Sequence, residues 1–225
     1  CVPDIVTASG PTVGVRQPAH PLTLELLSTF GNPLVGPSAN PSGTISPTTA
    51  AHVRAAFDER DVMVIDGGPC AKGIESTVVS LASDPIRVLR QGFIAPEQIE
   101  RCLGRAVLVG AAPGETALAS PGLLPRHYAP HTPAQLFQTD QWPAIIAAQS
   151  APVVVLTHRS AREVSPPHHL LRLASDAPGY AEALYRTLRA ADERRASRIL
   201  IEHPTDEGPL WDAIRDRLAR ATTAE

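Results

Sequence analysis

One polar stretch of the sequence has the composition of a ligand-binding loop. It runs from Val35 to Val53, VGPSANPSGTISPTTAAHV, and leads from an apolar segment directly into a helical pattern. Serine at a helix N-cap with proline at the first helical position is a strong start signature, so we expect a helix to begin at Ser46-Pro47. Its free N–H groups could bind a phosphate together with the polar side chains before it, which are Ser38, Asn40, Ser42 and Thr44. Taken alone, these residue types more often form a simple cap and turn.

A second candidate is the glycine-rich stretch GGPCAKGIESTVV, from Gly67 to Val79. Gly67 and Gly68 lack a Cβ and would let the backbone approach a ligand closely. Glu75 and Ser76 follow, where a strand is predicted to begin. A hairpin loop with polar residues at the start of its strand explains the pattern at least as well.

Two arginines lie at the ends of apolar strand patterns. Arg16 follows Val13 and Val15 on the alternating face, and a buried arginine there would need a carboxylate or phosphate partner. A surface arginine on an edge strand is an equal alternative. Arg90, at the end of RVLR, raises the same question, and Arg87 is expected to be its solvated neighbour.

Other kinds of site have little support. His127, Tyr128 and His131 have no acidic or cysteine companions at metal-ligand spacing, so no metal-ligating residue is predicted. The G-x-S-x-G elbow of a serine hydrolase does not occur, and no other nucleophile pattern is found, so we assign no catalytic side chain.

Composition limits the class of protein. The chain has 225 residues, 43% hydrophobic residues and a net charge of −3, which suits one large or two small packed domains and gives no basic field for nucleic acid. Three separated cysteines indicate a reducing compartment, and no segment reads as a membrane span or signal peptide, so we expect a cytoplasmic protein. The first residue is Cys1 and the only methionine is Met63, so we expect processing or a longer chain.

The first half of the sequence predicts an α+β domain with a mixed sheet. Strands are predicted at 12–17, 33–36 and 61–68, together with a hairpin around 83–85. One helix is predicted within residues 18–32 and stops at Gly31-Asn32, with Leu22, Leu26, Leu27 and Phe30 on its inward face. A short helix is predicted to end at Gly104.

The second half predicts a different architecture. Residues 110–133 are rich in proline, glycine and alanine and form a predicted linker. Beyond them, apolar strands alternate with amphipathic helices, which indicates a small doubly wound, Rossmann-like α/β domain. One helix has Ala181, Leu184, Leu188 and Ala191 on its inward face, and Trp211 is expected in the core. The G-x-G-x-x-G fingerprint is missing, so no dinucleotide site is predicted.

Taken together, the motifs resemble those of a known family. The segments TVGVRQPAHP, GPSANPSGTISPT, IDGG, GIESTVV, IRVLRQG and SPGLLPRHYAPHTP occur in the order found in L-threonylcarbamoyladenylate synthases of the two-domain, YrdC-like type. The resemblance spans nearly the whole chain. It implies the C-terminal part of a YrdC-like catalytic domain at 1–109, a linker folding over the active site at 110–133, and a Rossmann-like domain at 134–225.

The resemblance also implies an activity. Such enzymes make threonylcarbamoyladenylate from L-threonine, bicarbonate and ATP, release pyrophosphate, and supply the machinery that transfers the threonylcarbamoyl group to tRNA. ATP would be expected with Mg²⁺, while neither a membrane nor direct nucleic-acid binding is expected. The residues that correspond to ATP contacts are Thr12, Ser38, Asn40, Ser46 and Arg90. Those that correspond to threonine contacts are Arg16, Gly36 through its backbone, and Ser76.

The chain departs from the family pattern at its start. An upstream Thr-x-Thr-Val-Tyr-Gly-Leu segment and a phosphate-gripping Lys-x-Arg element are not found, so we expect an N-terminally truncated chain. In the linker, Pro125 stands where many relatives carry tyrosine. The alternatives are a non-catalytic nucleotide-binding or regulatory module with a partial site, and a YrdC-type carbamoyltransferase. The His-Tyr-Ala-Pro linker argues against the second.

Overall fold

The computed structural model describes residues 2–7, 9–58, 60–82, 84–111 and 125–222, which form two separate sheets. The described helices and strands of the first half are α1 (Asp4–Thr7), α2 (Pro21–Phe30), α3 (Ala50–Arg54), β1 (Val78–Ser80), β2 (Ile86–Arg90), α4 (Pro96–Leu103) and β3 (Val107–Val109). Those of the second half are β4 (Ala134–Phe137), a 3-10 turn (Thr139–Gln141), α5 (Trp142–Ala147), β5 (Val153–Thr157), β6 (His169–Arg172), α6 (Ala177–Asp192), β7 (Arg198–Glu202) and α7 (Pro209–Thr222).

The first sheet has the order β1–β2–β3. β1 and β2 form the predicted antiparallel hairpin, and β3 adds to β2 in parallel. Ile86, Val88 and Arg90 alternate on the buried face of β2, as a half-buried strand requires. α4 ends as predicted at Gly104, which adopts the left-handed conformation.

The second sheet is parallel, with the order β4–β7–β5–β6. All five residues of β5 are buried, because helices cover both faces of the sheet. Val154 and Leu156 pack in the same core as α6 and α7, and Val153 and Val155 pack with Trp142 of α5. The predicted Rossmann-like arrangement is therefore confirmed, with Trp211 in the core at 6% exposure.

Three strand predictions in the first half are wrong. Residues 12–17, 33–36 and 61–68 are not strands, although their composition favours one. A strand needs a neighbour to bond its backbone N–H and C=O groups, and no strand lies beside these segments among the described residues. α2 forms as predicted but none of its residues is buried; Leu22 and Leu26 are 44% and 42% exposed.

The predicted helix start at Ser46-Pro47 is also wrong. α3 begins three residues later, and the hydroxyl of Thr49 caps it by accepting a hydrogen bond from the backbone N–H of His52 at 3.3 Å. With only five residues, α3 offers a weak dipole. Ser46 is therefore not the N-cap of α3, and its hydroxyl can make a different contact. None of the described helices is long and apolar enough to span a membrane.

The described end of the predicted linker joins the two halves. The backbone N–H of Ala129 donates to the carbonyl of Gly43 at 2.9 Å, and that of His127 donates to Arg220 of α7 at 3.3 Å. The backbone N–H groups of His131 and Thr132 donate to the carboxylate of Asp192 in α6 at 3.0 and 2.7 Å. Residues 112–124 of the linker lie outside the described residues.

Gly73 brings the glycine-rich stretch directly against α6. Its φ is +73°, and a Cβ there would clash with the carbonyl oxygens of Ala181 and Glu182. Only glycine therefore permits this backbone-to-backbone approach.

We expect Gly73→Ala to destabilise the contact between the two halves. Gly68→Ala is the matched control, because Gly68 has a similar φ of +84° and a Cβ added there would meet no atom within 4 Å. Both variants carry the strain of a positive φ, and Gly73→Ala adds a clash that costs about 1–3 kcal/mol more. Urea unfolding of both variants measures the difference. Equal stabilities would show that Gly73 does not contact α6 closely.

We expect Asp192→Asn to lower the free energy of unfolding at pH 7 by about 1–3 kcal/mol through weakened charge-assisted hydrogen bonds. Burial works to raise the pKa of Asp192, but the hydrogen bonds from Thr132 and His131 outweigh it, and the pKa is lowered. The stabilisation is therefore present above the unfolded-state pKa, about 3.9, and is lost as the pH falls through the lower folded-state value.

Urea titrations of the wild type and of Asp192→Asn from pH 7 to pH 3 measure this difference. Asp212→Asn removes a carboxylate whose ion pair with Arg215 is surface-exposed, so it should cost only a few tenths of a kcal/mol. A difference for Asp192→Asn that stays constant down to pH 3 would contradict the assignment.

Candidate active site

A single carboxylate, that of Glu75, links the two halves at the candidate site. Its Oε1 accepts a hydrogen bond from the hydroxyl of Ser46 at 3.0 Å. Its Oε2 accepts from the hydroxyl of Tyr185 in α6 at 2.8 Å and lies 3.4 Å from Nε of Arg217 in α7. The side chain of Glu75 is 21% exposed and that of Arg217 only 1%. A mostly buried carboxylate is thus matched by donors from three separate segments.

Protonation states in this cluster follow from burial and from Glu75. Burial first, and then the charge of Glu75, raise the pKa of Tyr128 to about 12 and that of Tyr185 well above its ordinary value. Burial alone would lower the pKa of Arg217, but Tyr185 and Glu75 outweigh it and the pKa rises. At neutral pH the phenols are therefore neutral donors and Arg217 is a cation. The Tyr128 ring stacks on that of Tyr185 at 5.2 Å between centroids.

Ser46 donates its only hydroxyl proton to Glu75. Toward a ligand its oxygen can then offer only lone pairs. Such an oxygen suits a hydroxyl or amino group of a ligand better than a phosphate oxygen, which itself requires a donor. The role of Ser46 in a phosphate cradle loses the support of a helix N-terminus, because α3 begins at Ala50; its place in an ATP site stays a prediction.

Arg90 lies next to the same cluster. It is 9% exposed, and its Nε and Nη2 donate to the backbone carbonyl of Ser76 at 3.2 and 3.0 Å. Burial lowers its pKa from the ordinary value, while Tyr128 and Glu75 act in the opposite direction. Arg90 is therefore the buried arginine of its strand, while Arg87 is half-buried and donates to the carbonyls of Gly110 and Ala111.

Arg16 and Gly36 form a second, more open pair. Arg16 is exposed, and its Nη2 lies 3.5 Å from the carbonyl oxygen of Gly36. The strand that was predicted to carry Arg16 does not form, so its guanidinium lies at the surface. Thr12 and Ser38 are also exposed, and no side-chain contact of theirs joins them to the Glu75 cluster within the described parts of the chain.

Asn40 organises the loop from within. Its Nδ2 donates to the carbonyls of Pro41 and Thr44 at 3.0 and 3.1 Å and to the hydroxyl of Thr44 at 3.2 Å. Its Oδ1 is buried and accepts no hydrogen bond from the described residues. A buried acceptor without a partner is costly, so the hydrogen bonds made by Nδ2 must offset that cost.

A groove of about 790 Å³ lies between the polar loop and the C-terminal end of α6, and none of the Glu75 cluster lines it. Its lining includes Ile45, His52, Arg189 and Asp192. Arg189 donates to the backbone carbonyls of Ile45 and Ser46, which ties α6 to the loop a second time. Burial, then the charge of Arg189, lowers the pKa of His52, so it is neutral at physiological pH.

Sequence reasoning missed Tyr185 and Arg217. Arg217 lies on the buried face of α7 with Ile214, Leu218 and Ala221, at the helical spacing of i, i+3, i+4 and i+7. An arginine on an apolar helix face requires a buried partner, so this pattern could have revealed an acidic contact. No comparable signal marked Tyr185, which an apolar face accommodates without a partner. Among the described residues, no group of three or more His, Cys, Asp or Glu could hold a metal ion.

Two family models match the chain. The model described as "Telomere recombination", of the Sua5/YciO/YrdC type, matches residues 1–92. The model described as "Threonylcarbamoyl-AMP synthase, C-terminal domain" matches residues 94–223.

Similar proteins carry the same name. The threonylcarbamoyl-AMP synthase of Bacillus subtilis is 36% identical over 98% of this chain and 67% of its own length. That of Schizosaccharomyces pombe is 32% identical over 99% of this chain and 60% of its own length. The chain thus spans about 60–67% of the length of these curated relatives.

Solved structures agree with the sequence matches. A crystal structure of P. abyssi Sua5 complexed with L-threonine superposes with a TM-score of 0.85 at 31% identity, over 98% of this chain and 67% of that one. A variant of the same protein, with an adjacent histidine and tyrosine replaced by alanine, gives a TM-score of 0.83 at 29% identity, over 98% of this chain and 66% of that one. The chain therefore belongs to the threonylcarbamoyl-AMP synthase family.

Proposed function

We propose that this chain is an ATP-dependent nucleotidyltransferase that makes threonylcarbamoyl-AMP from L-threonine, bicarbonate and ATP, with release of pyrophosphate. The product would supply the machinery that threonylcarbamoylates tRNA. The observation that carries the proposal is the Glu75 cluster, because it gathers residues that the family resemblance assigned to both substrates. Ser46 bonds to Glu75, and Arg90 bonds to the adjacent Ser76.

L-Threonine would bind between Arg16, Gly36 and Ser76. An exposed guanidinium is free to take the substrate carboxylate in a bidentate geometry, and Arg16 lies beside the Gly36 carbonyl, which could accept from the substrate amino group. The P. abyssi relative was crystallised with L-threonine, which supports an amino acid substrate for this fold.

ATP would lie against Thr12, Ser38, Asn40, Ser46 and Arg90. The lone pairs of Ser46 suit hydroxyl or amino groups of the nucleoside, and Asn40 shapes the loop that carries Ser46. The charge of Arg90 suits the phosphates. Mg²⁺ is held mainly by substrate phosphates in sites of this kind, and its role here would be to neutralise their charge.

The chemistry requires positioning more than a reactive side chain. The carbamate formed from threonine and bicarbonate attacks the α-phosphorus of ATP, a new P–O bond forms, and pyrophosphate leaves with the electrons of the broken P–O bond. Alignment of the reactants and stabilisation of the developing charge supply most of the acceleration in such a step. This fits a site to which no nucleophilic side chain is assigned.

The domain division is part of the same proposal. Residues 1–109 would carry the substrate contacts, residues 110–133 would fold over them, and residues 134–225 would form the Rossmann-like domain. The hydrogen bonds from Ala129 to Gly43 and from His127 to Arg220 support a linker that closes on the polar loop.

A second candidate is a binding or regulatory module without turnover. One observation favours it: Thr12, Arg16 and Ser38 are all exposed in the described structure, so several of the assigned contacts lie apart from the buried cluster.

Pyrophosphate release from ATP separates the two candidates. We expect the protein expressed from its complete reading frame to release pyrophosphate only when threonine and bicarbonate are both present. A folded protein that binds ATP and threonine but releases none would support the module.

We expect Arg16→Ala to raise KM for threonine at least tenfold and to change KM for ATP by about twofold at most, because only threonine offers it a carboxylate. Arg60→Ala is the matched control, since Arg60 is 88% exposed and pairs only with Asp58 among the described residues. Steady-state pyrophosphate release at varied threonine and varied ATP measures both constants. Equal losses for the two substrates would contradict the role of Arg16.

A further inference from the structure

We propose that the Rossmann-like half of the chain positions both substrate-binding loops through Glu75, so that Tyr185 and Arg217 are positioning residues for synthesis of threonylcarbamoyl-AMP. This inference rests on the proposed function. It assigns a role to the C-terminal half, to which no assigned substrate contact belongs.

The two oxygens of Glu75 face different halves of the protein. Oε1 binds the hydroxyl of Ser46, and Oε2 binds Tyr185 and Arg217. Since a carboxylate is planar and rigid, the two donors on Oε2 fix the direction of Oε1. That direction in turn fixes the hydroxyl of Ser46 and leaves its lone pairs for the nucleotide.

The same residue also fixes the threonine side. Glu75 directly precedes Ser76, whose carbonyl receives both hydrogen bonds from Arg90. Gly73, two residues before Glu75, lies against the backbone of α6. The segment from Gly73 to Ser76 is therefore held by α6, by α7 and by Arg90, and its side chains have little freedom of orientation.

The first test variant is Tyr185→Phe, which removes one hydroxyl and keeps the ring that stacks on Tyr128. We expect KM to rise at least fivefold for both ATP and threonine, because Oε2 loses a donor at 2.8 Å and Glu75 can turn. Tyr180→Phe is the control: Tyr180 lies in the same helix, is 1% exposed, and packs against His158 and Trp211 rather than Glu75. Loss of the Tyr180 hydroxyl should leave the KM values for ATP and threonine within about twofold of those of the wild type.

The second variant is Glu75→Gln, which should change the KM for ATP and the KM for threonine by different factors. The donors Tyr185 and Arg217 would hold the amide oxygen, so the amide NH₂ would face Ser46 and the hydroxyl of Ser46 would accept instead of donate. Its proton would then turn toward the nucleotide. We expect KM for ATP to rise more than KM for threonine, with the far-UV spectrum unchanged.

The experiment measures pyrophosphate release and, by calorimetry, the Kd of ATP and threonine for the wild type and the three variants, all made from the complete reading frame. If the wild type turns over and Tyr185→Phe behaves like Tyr180→Phe, the positioning role is overturned. If the wild type does not turn over, the proposed function fails, and the calorimetric affinities still decide the positioning role. The positioning role is supported if Tyr185→Phe binds both substrates more weakly than the wild type and Tyr180→Phe does not.

Discussion

The contact between the two halves is organised around one carboxylate that accepts hydrogen bonds from three directions. Glu75 lies 110 residues from Tyr185, 142 from Arg217 and 29 from Ser46 in the sequence, yet it accepts hydrogen bonds from all three. A carboxylate in a mostly dry interface is costly unless donors surround it. Because these donors come from the polar loop, α6 and α7, docking of the two halves supplies the hydrogen bonds that replace the water lost by Glu75 on burial. These directional hydrogen bonds therefore fix the orientation of one half relative to the other.

Hydrophobic packing and backbone contacts support this junction. The stacked rings of Tyr128 and Tyr185 exclude water from one side, and Gly73 permits the close approach to α6. Asp192 holds the linker through two backbone N–H groups. Each contact alone is modest, but together they fix the segment that carries Ser76 and the loop that carries Ser46. The Glu75 cluster is therefore built between elements of both halves rather than on either half alone.

The second half of the fold could be predicted from the sequence because its signals are local. The fully apolar β5 and the inward face of α6, with Ala181, Leu184, Leu188 and Ala191, follow the periods of strand and helix and are buried as expected. The strands predicted at 12–17, 33–36 and 61–68 failed, since composition shows a preference for extended backbone but not the presence of a partner strand. The predicted start of α3 was wrong because the hydroxyl of Ser46 bonds to the distant Glu75 instead of capping a helix.

For the site, the motifs pointed to segments that come together in the structure but not to their connections. Glu75 and Arg90 were recognised as candidates; Glu75 is the centre of the cluster, and Arg90 bonds to the adjacent Ser76. The roles of Tyr185 and Arg217 depend on contacts across more than one hundred residues, which no local period encodes. All the roles assigned in ATP and threonine binding, those of Thr12, Ser38 and Arg16 included, stay predictions that rest on the family resemblance.

The most direct test of this account is a double-mutant cycle between Glu75 and Tyr185. The free energies of unfolding of the wild type, Glu75→Ala, Tyr185→Phe and the double variant are measured in urea at pH 7, because Glu75→Ala removes the oxygen that accepts from Tyr185. If the hydroxyl of Tyr185 stabilises the charge of Glu75 across the interface, the coupling energy is about 1 kcal/mol or more. Additive effects, within about 0.3 kcal/mol, would mean that the two side chains do not interact and would contradict the contact between Glu75 and α6 on which the account depends.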